Sequence, residues 1–139
     1  MATTTVTANP FTLKDVSLLI GPTATNFEFR TSVSSVTLTP NSSQVSWTGL
    51  GLNAYTDQTT ATWTCTLEYA QDWETTNSLS AYLYANEGTT VDVVFKPKNT
   101  GTKTWTGKLI ITPGAVGGPV NGVATATVTL GMPTKPVLA

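Results

Sequence analysis

The feature that most constrains the fold is a strict alternation of apolar and hydroxyl-bearing side chains. From residue 61 to residue 69 the sequence reads ATWTCTLEY, and from residue 123 to residue 130 it reads VATATVTL. A β-strand turns successive side chains to opposite faces, so this period of two places every second residue on the same face. Threonine and valine are also β-branched, which favours the pleated strand. The chain is therefore predicted to be mainly β, with one face of these strands in a core.

The length of 139 residues is that of one domain. The pattern along the chain predicts a β-sandwich or partly open barrel of about seven or eight strands with one short flanking helix. We expect residues 1–10 to form an N-terminal arm and residues 11–132 to form the domain. Within it, residues 49–60 predict a long hairpin tip or an ordered loop. Residues 133–139 are predicted to be a C-terminal tail, because two prolines exclude an interior strand there.

The segment at residues 76–86 breaks the β pattern and predicts the helix. Spacings of three and four residues give this segment one apolar stripe, formed by Leu79, Tyr82 and Leu83. Three residues before the stripe are candidates for its N-terminal cap: Thr75, Thr76 and Asn77. Gly88 can end the helix in the left-handed conformation. A helix of about three turns is marginal in water, so we expect it to pack against the sheet.

The residues that most catalytic and metal sites need are scarce. The chain has no histidine and one cysteine, which excludes a Ser-His-Asp triad, removes the commonest metal ligand and allows no internal disulfide. Cys65 shares an apolar strand face with Trp63 and Leu67, so it is predicted to be a buried, inert thiol. The acidic residues form no dense cluster. We therefore expect no enzymatic activity, no cofactor and no metal site.

Charge and hydropathy narrow the possible partners. Seven basic and eight acidic residues without a basic run do not predict tight binding of nucleic acid. The first residues lack the basic and apolar regions of a secretion signal, and no stretch approaches the ~18 apolar residues of a membrane helix. We expect synthesis in a cytoplasm, where the chain stays soluble or from which it leaves by a route other than a signal peptide, and no membrane contact.

Three segments within about residues 61–137 follow one another in a distinctive order. They are TATWTCTLEYAQDW, NSLSAYLYANEGTTVDVVFKP and TWTGKLIITPGAVGGPVNGVATATVTLGMPTKP. A strand leads into a short helix, a strand ends at Lys-Pro, and a glycine-rich loop precedes a last strand that closes on Gly-x-Pro. This set resembles the tail tube (major tail) proteins of long, non-contractile-tailed bacteriophages, the siphophages. Residues 1–60 correspond only by position to that family's variable arm and stacking loop.

The resemblance implies a structural virion protein that polymerises as stacked hexameric rings and forms a conduit for genome ejection. Its partners would be other copies of itself, the tape-measure protein, and the tail terminator and initiator proteins. DNA would pass through the lumen only transiently. The protein would be assembled in the host cytoplasm and would reside in the virion tail.

The resemblance also suggests two sets of functional residues. Polar or mildly acidic side chains suit a wall along which DNA must slide, since they do not hold phosphates. The candidate lumen residues are Thr62, Thr64, Thr66 and Glu68. The candidates for contacts between subunits or rings are Trp47, Leu50, Leu52, Tyr55, Trp73, Leu79, Tyr82 and Leu83.

Two other classes of binding protein fit the same composition. A capsid decoration protein or an Ig-like adhesion module of a virion would also be rich in strands and free of catalytic groups. It would form a compact monomer or trimer and would not polymerise. A carbohydrate-binding module could use Trp47, Tyr55 and Trp73 as a stacking platform, and would bind glycans saturably.

Overall fold

The computed structural model describes residues 2–22 and 24–139. Met1 of the predicted arm and Thr23 of the predicted domain lie outside the described residues. The elements, in chain order, are β1 (Ser17–Ile20), β2 (Phe27–Glu28), β3 (Val33–Asn41), β4 (Gln44–Thr48), β5 (Ala54–Gln58), β6 (Thr62–Ala70), α1 (Leu79–Ala85), β7 (Thr90–Lys96), β8 (Trp105–Ile110), β9 (Thr125–Met132) and β10 (Val137–Leu138). The prediction of a mainly β fold with one short helix is confirmed.

Eight of the strands form one antiparallel sheet, in the order β2-β1-β7-β8-β9-β6-β3, with β10 on β8. β6 pairs along its length with both β3 and β9. By contrast, the register between β8 and β9 holds one residue pair, Ile110 opposite Gly131. The sheet therefore has two halves, β2-β1-β7-β8 and β9-β6-β3, joined at one point. Its two outermost strands, β2 and β3, do not pair with each other, so the arrangement is an open β-sandwich.

The core lies between these halves and collects alternate residues of the strands. β6 contributes Cys65, Leu67 and Tyr69, while β9 contributes Ala126, Val128, Leu130 and Met132. The other half contributes Leu18, Ile20, Val91, Val93, Phe95, Leu109 and Ile111. Each buried aliphatic side chain contributes about 1.5–3 kcal/mol to the stability of the fold. The alternation in the sequence, which places these side chains in the core, is therefore a main source of that stability.

The tail predicted at residues 133–139 ends in a short strand. Its β10 pairs with β8 through Val137 opposite Thr106 and Leu138 opposite Trp105. Two backbone hydrogen bonds of 2.9 and 3.0 Å then join Ala139 to Thr104. The tail thus occupies the part of the β8 edge that β9 leaves free, consistent with the exclusion of an interior strand.

The helix is shorter than predicted and begins later. It spans Leu79–Ala85, and its N-terminal cap is Ser78, whose hydroxyl accepts a hydrogen bond from the Ala81 N–H. The predicted caps were wrong because the preceding residues form a separate turn. Asp72 Oδ1 accepts hydrogen bonds from the backbone N–H groups of Glu74 and Thr75, both 3.1 Å long. The left-handed conformation expected of Gly88 is confirmed, with φ at 82°.

The apolar stripe of α1 faces the interior. Leu79, Tyr82 and Leu83 are all buried in the core cluster. The ring of Tyr82 lies 5.7 Å from that of Phe27 and 5.8 Å from that of Phe29. The helix therefore packs on its own subunit, as its length requires.

The segment predicted as a long hairpin tip or an ordered loop at residues 49–60 contains a strand and belongs to a hairpin. β5 pairs antiparallel with β4 over five residue pairs, from Gln44 opposite Gln58 to Thr48 opposite Ala54. The turn of this hairpin is therefore limited to residues 49–53. Sequence reasoning missed β5 because AYTDQ has no apolar alternation and no core face. Every residue of both strands is exposed, and an isolated two-stranded hairpin is only marginally stable in water.

We predict that Leu83→Asp prevents folding. Leu83 is fully buried, so the change removes an apolar side chain and places an unpaired carboxylate in the core, at a cost above about 4 kcal/mol. That cost approaches the whole stability of a typical domain, about 5–15 kcal/mol. Circular dichroism and urea unfolding measure the effect. The matched control is Tyr84→Asp at the next helix position, which is 67% exposed; it should cost less than about 1 kcal/mol. A folded Leu83→Asp protein would contradict this packing.

Candidate assembly surfaces

A broad polar face covers the outer side of the β9-β6-β3 half of the sheet. The register places Thr66 between Thr37 of β3 and Thr129 of β9, and the same alignment repeats along the strands. We call this surface the threonine face. Its residues are Ser35, Thr37, Thr39, Asn41, Thr62, Thr64, Thr66, Glu68, Ala70, Thr125, Thr127, Thr129 and Gly131. It is the solvent side of the strands whose opposite side builds the core.

The threonine face is close to neutral. Glu68 is the charged residue among its members, and it lies between Ser35 and Thr127. The hydroxyls of Thr66 and Thr129 approach each other to 3.5 Å. Such a surface offers many short hydrogen-bonding groups and no fixed positive charge that would retain a phosphate.

The four predicted lumen residues, Thr62, Thr64, Thr66 and Glu68, all lie on the threonine face. Sequence reasoning missed the neighbouring threonines of β3 and β9. Their alternation was visible, as TLT at residues 37–39 and TATVT at residues 125–129. What the sequence did not reveal was the register that brings the three strands side by side.

The hairpin of β4 and β5 carries four of the predicted contact residues. Trp47 and Tyr55 are paired across the two strands, so both point to the same side of the hairpin, and they are 61% and 60% exposed. Leu50 and Leu52 lie in its turn and are also exposed. The structure thus gathers these residues on one projecting element that its own subunit leaves uncovered.

Asp57 is the only charged residue in the hairpin and is held in the ionised form. The Gln58 backbone N–H donates to its carboxylate at 2.8 Å, and the Tyr55 hydroxyl donates at 2.9 Å. These two hydrogen bonds lower the pKa of Asp57 below its usual value. Its position across from Val45 puts the negative charge on the same side as Trp47 and Tyr55.

Trp73 lies at the opposite end of the sandwich from the hairpin. Its ring is partly exposed and makes an edge contact of 6.4 Å with Tyr84. Its indole N–H donates to Gln71, whose side-chain amide also bonds the N–H and the carbonyl of Gly117, each at 2.9 Å. Gln71 therefore holds the glycine-rich loop against this end of the sheet. No pattern in the sequence indicated that role.

The remaining predicted contact residues do not reach the surface. Leu79, Tyr82 and Leu83 are buried within the subunit by their packing on the sheet and on Phe27 and Phe29. The part of α1 that is open to a neighbour is the side that carries Tyr84. Of the eight candidate contact residues, these three are therefore buried, whereas the five on the hairpin and at Trp73 are exposed.

An apolar cleft opens between the two halves of the sandwich, where β3 faces β7 and β8 without pairing. It has a volume of about 530 Å³. We call this space the edge cleft. Its strand and loop residues are Val36, Thr37, Leu38, Pro40, Trp63, Phe95, Pro97 and Trp105, and Phe11 and Leu13 of the N-terminal segment also line it.

The single thiol is inert in the folded chain. Cys65 is fully buried, and burial raises its pKa from 9.0 to about 12. Among residues 2–22 and 24–139, no group of three or more histidine, cysteine or acidic side chains is placed to hold a metal ion. Within the same residues, no helix has both the length and the apolar character needed to cross a membrane.

Comparisons with known proteins identify the fold. No protein-family model and no curated protein sequence match the chain. One similar solved structure is a chain in the virion of a native gene transfer agent particle. It has 15% sequence identity and a TM-score of 0.60, and the match covers 88% of this chain and 95% of that one.

A second similar structure is a chain in the anti-feeding prophage baseplate, determined by cryo-electron microscopy with six-fold symmetry applied. It has 14% identity and a TM-score of 0.58, and the match covers 96% of this chain and 97% of that one. At these identities the likeness shows a common fold. The protein thus shares, over nearly its whole length, a fold found in a virion particle and in a prophage baseplate.

We predict that alkaline pH destabilises the protein through Cys65. In the unfolded chain the thiol ionises near pH 9, whereas the folded thiol stays protonated to about pH 12. The unfolded state therefore binds fewer protons, and the free energy of unfolding falls as pH rises through this window, by at most about 1.4 kcal/mol per pH unit.

Urea unfolding between pH 8 and pH 10 measures this slope. Near pH 10 two tyrosines add a smaller decline of the same sign, because burial raises the pKa of Tyr69 and Tyr82 above the usual 10.0. Cys65→Ala is the matched variant: it should be less stable at neutral pH but should lose most of the decline above pH 9. An identical decline in both proteins would assign the effect to other groups.

Proposed function

We propose that this protein is the tube subunit of a phage-type tail, which polymerises as stacked hexameric rings around a channel for DNA. The threonine face carries this proposal, because an extended sheet surface without positive charge is suited to line such a channel. The common fold with a component of a virion and a component of a prophage baseplate supports the same context. In this assembly the protein acts as a structural component of the virion.

The electrostatics explain how the threonine face would serve as a wall. A double helix carries one negative charge per about 1.7 Å of its axis, so a basic lining would bind it and slow its passage. Threonine hydroxyls exchange hydrogen bonds with water at little cost, and the Glu68 carboxylates repel phosphates. A ring of subunits would therefore guide the DNA without holding it.

The exposed apolar side chains supply the contacts that an assembly needs. The hairpin with Trp47 and Tyr55, its turn with Leu50 and Leu52, and Trp73 at the opposite end are all open to neighbours. Apolar groups at both ends of a subunit suit contacts within a ring and between rings. The six-fold symmetry applied to the similar baseplate structure supports six subunits per ring.

The proposal includes the partners that a tail tube requires. Copies of this chain would build the rings, and a tape-measure protein would occupy the channel before DNA enters it. A terminator and an initiator protein would cap the two ends of the tube. Assembly would take place in the host cytoplasm, and the finished protein would reside in the tail.

Electron microscopy of the purified protein over a concentration series tests the proposed function. We expect hollow, striated tubes or stacked rings, together with a rise in mass on size-exclusion chromatography. An initiator complex can be required for nucleation, so preformed tail tips should be added as seeds. A monomer or trimer that does not polymerise even with seeds would contradict the proposal and favour a capsid decoration protein.

We predict that Glu68→Lys permits assembly but impairs the passage of DNA. The substituted lysines would line the channel and bind phosphates, reducing DNA delivery per particle by about tenfold or more at low salt. Higher salt should relieve the defect, because the interaction is electrostatic. Glu68→Gln is the matched control: it removes the negative charge without adding a positive one, and should deliver DNA nearly normally. Normal delivery by assembled Glu68→Lys particles would exclude the threonine face as the channel wall.

A further inference from the structure

We propose that Asn121 is a site of spontaneous deamidation, at which the neutral side-chain amide is converted into a carboxylate. The reaction consumes water, releases ammonia and needs no enzyme. Three observations carry the inference: glycine follows Asn121, the pair lies on an exposed turn, and the loop is fixed to the sheet on both sides of that turn. The inference does not depend on the proposed function, because it concerns the chemistry of one loop.

The next residue in the chain distinguishes Asn121 from the other asparagines. Asparagine is a thermolabile residue, because the backbone nitrogen that follows it is able to attack the carbon of its side-chain amide. A Cβ on the following residue crowds this attack, and glycine has none. Of all the asparagines in the sequence, Asn121 alone is followed by glycine.

The reaction passes through a cyclic imide. The nitrogen of Gly122 forms a bond to Cγ of Asn121, its proton is lost, and the side-chain NH2 group takes up a proton and leaves as ammonia. Water then opens the imide at one of its two carbonyl carbons. One opening gives aspartate, and the other gives isoaspartate, in which the main chain runs through the former side chain. No atom is oxidised or reduced, so the step needs no co-reactant besides water.

The structure leaves this pair of residues accessible. Residues 118–123 are all exposed, and Val120 and Asn121 form a turn. Asn121 has φ at 68°, in the left-handed region that asparagine enters more readily than most residues. In the described part of the chain its side-chain amide makes no hydrogen bond. Rotation of the peptide plane between Asn121 and Gly122 therefore brings the reacting atoms together without breaking a side-chain contact.

Gln71 fixes the loop on both sides of the turn. Its side-chain amide bonds the N–H and the carbonyl of Gly117, and it also donates to the Thr125 carbonyl, each at 2.9 Å. Its backbone N–H donates to the Ala124 carbonyl at 2.8 Å. Residues 118–123 thus form a tip between two fixed points. A chemical change within this tip requires no movement of the strands or of the core.

Asn77 provides an internal comparison within the same fold. It is also exposed and left-handed, with φ at 62°. The next residue, however, is Ser78, which has a Cβ and is only 9% exposed. Ser78 is the cap of α1, and its N–H donates to the Thr75 carbonyl at 3.2 Å. The nitrogen that would attack is therefore both crowded and held in place, so Asn77 should react far more slowly.

Deamidation would place a charge where the loop has none. Residues 111–124 include no charged side chain. Because one neutral amide becomes one carboxylate, the formal net charge of the chain would change from −1 to −2 at pH 7. The same Gln71 that holds this loop also accepts a hydrogen bond from the Trp73 indole at 3.3 Å. The new charge would thus appear at the end of the sandwich that carries Trp73.

Ageing of the folded protein tests the site. The wild-type protein is incubated in mildly alkaline buffer made with isotopically labelled water, digested in ordinary water at acidic pH and analysed by mass spectrometry. We expect labelled oxygen to enter the Asn121 peptide, as both aspartate and isoaspartate, about tenfold or more faster than the Asn77 peptide. No incorporation at Asn121, or equal rates at the two sites, would overturn the proposal.

The variant Gly122→Ala tests the role of the glycine. A Cβ at this position would lie 3.4 Å from Pro119 Cγ and 3.7 Å from the Pro119 carbonyl oxygen, which are ordinary contacts, so the variant should fold. We expect its deamidation to be about tenfold slower, equivalent to about 1.4 kcal/mol in the activation free energy. An unchanged rate would mean that water attacks the amide directly, and would overturn the ring closure through Gly122.

The variant Asn121→Asp tests whether the change stays local. It should unfold at the same urea concentration as the wild-type protein, and it should elute from an anion-exchange column together with the aspartate form of the aged protein. A clear fall in its unfolding midpoint would overturn the independence of the tip from the core.

Discussion

The fold depends on the two-sided pairing of β6. This strand is hydrogen-bonded along its length to β3 and to β9, so its alternation is transmitted to both neighbours. On one side Cys65, Leu67 and Tyr69 enter the core, and on the other side threonines meet solvent. A shift of one residue in either pairing would move the apolar side chains of the neighbouring strand from the core face to the solvent face. The same register therefore stabilises the domain and creates the threonine face.

The junction between β8 and β9 shapes the rest of the molecule. Because Ile110 and Gly131 form its only register pair, the two halves of the sheet diverge beyond this point. The C-terminal strand fills one side of the gap, where Gly107 leaves room: a Cβ there would lie 2.9 Å from Met132 Cε and 3.6 Å from Pro136 Cα. The other side stays open as the edge cleft. An open sandwich thus retains an apolar surface that a closed barrel would have buried.

The candidate assembly surfaces were predictable from the sequence where they depend on a regular spacing of apolar side chains. The solvent side of β6 and the apolar stripe of α1 followed from periods of two and of three to four residues. The strand β5 did not, because the hairpin has no face in the core and pairs only with β4. The start of the helix was predicted too early. The Asp72 carboxylate accepts hydrogen bonds from the backbone N–H groups of Glu74 and Thr75, so these residues form a separate turn before the helix. Leu79, Tyr82 and Leu83 were correctly identified as the apolar stripe by which the helix packs against the sheet, although the resemblance also made them candidates for contacts between subunits.

By itself, the sequence determined which side chains share a strand face, that the chain is mainly β with one helix, and that it lacks histidine-based chemistry. These properties depend on local periodicity and composition, which require no knowledge of distant contacts. Only the tertiary structure decided which strands are neighbours, where the sheet remains open and which apolar residues stay exposed. Those outcomes depend on pairings between residues far apart in the chain, such as Thr66 with Thr37 and Thr129, whose register is selected by the packing of the whole core.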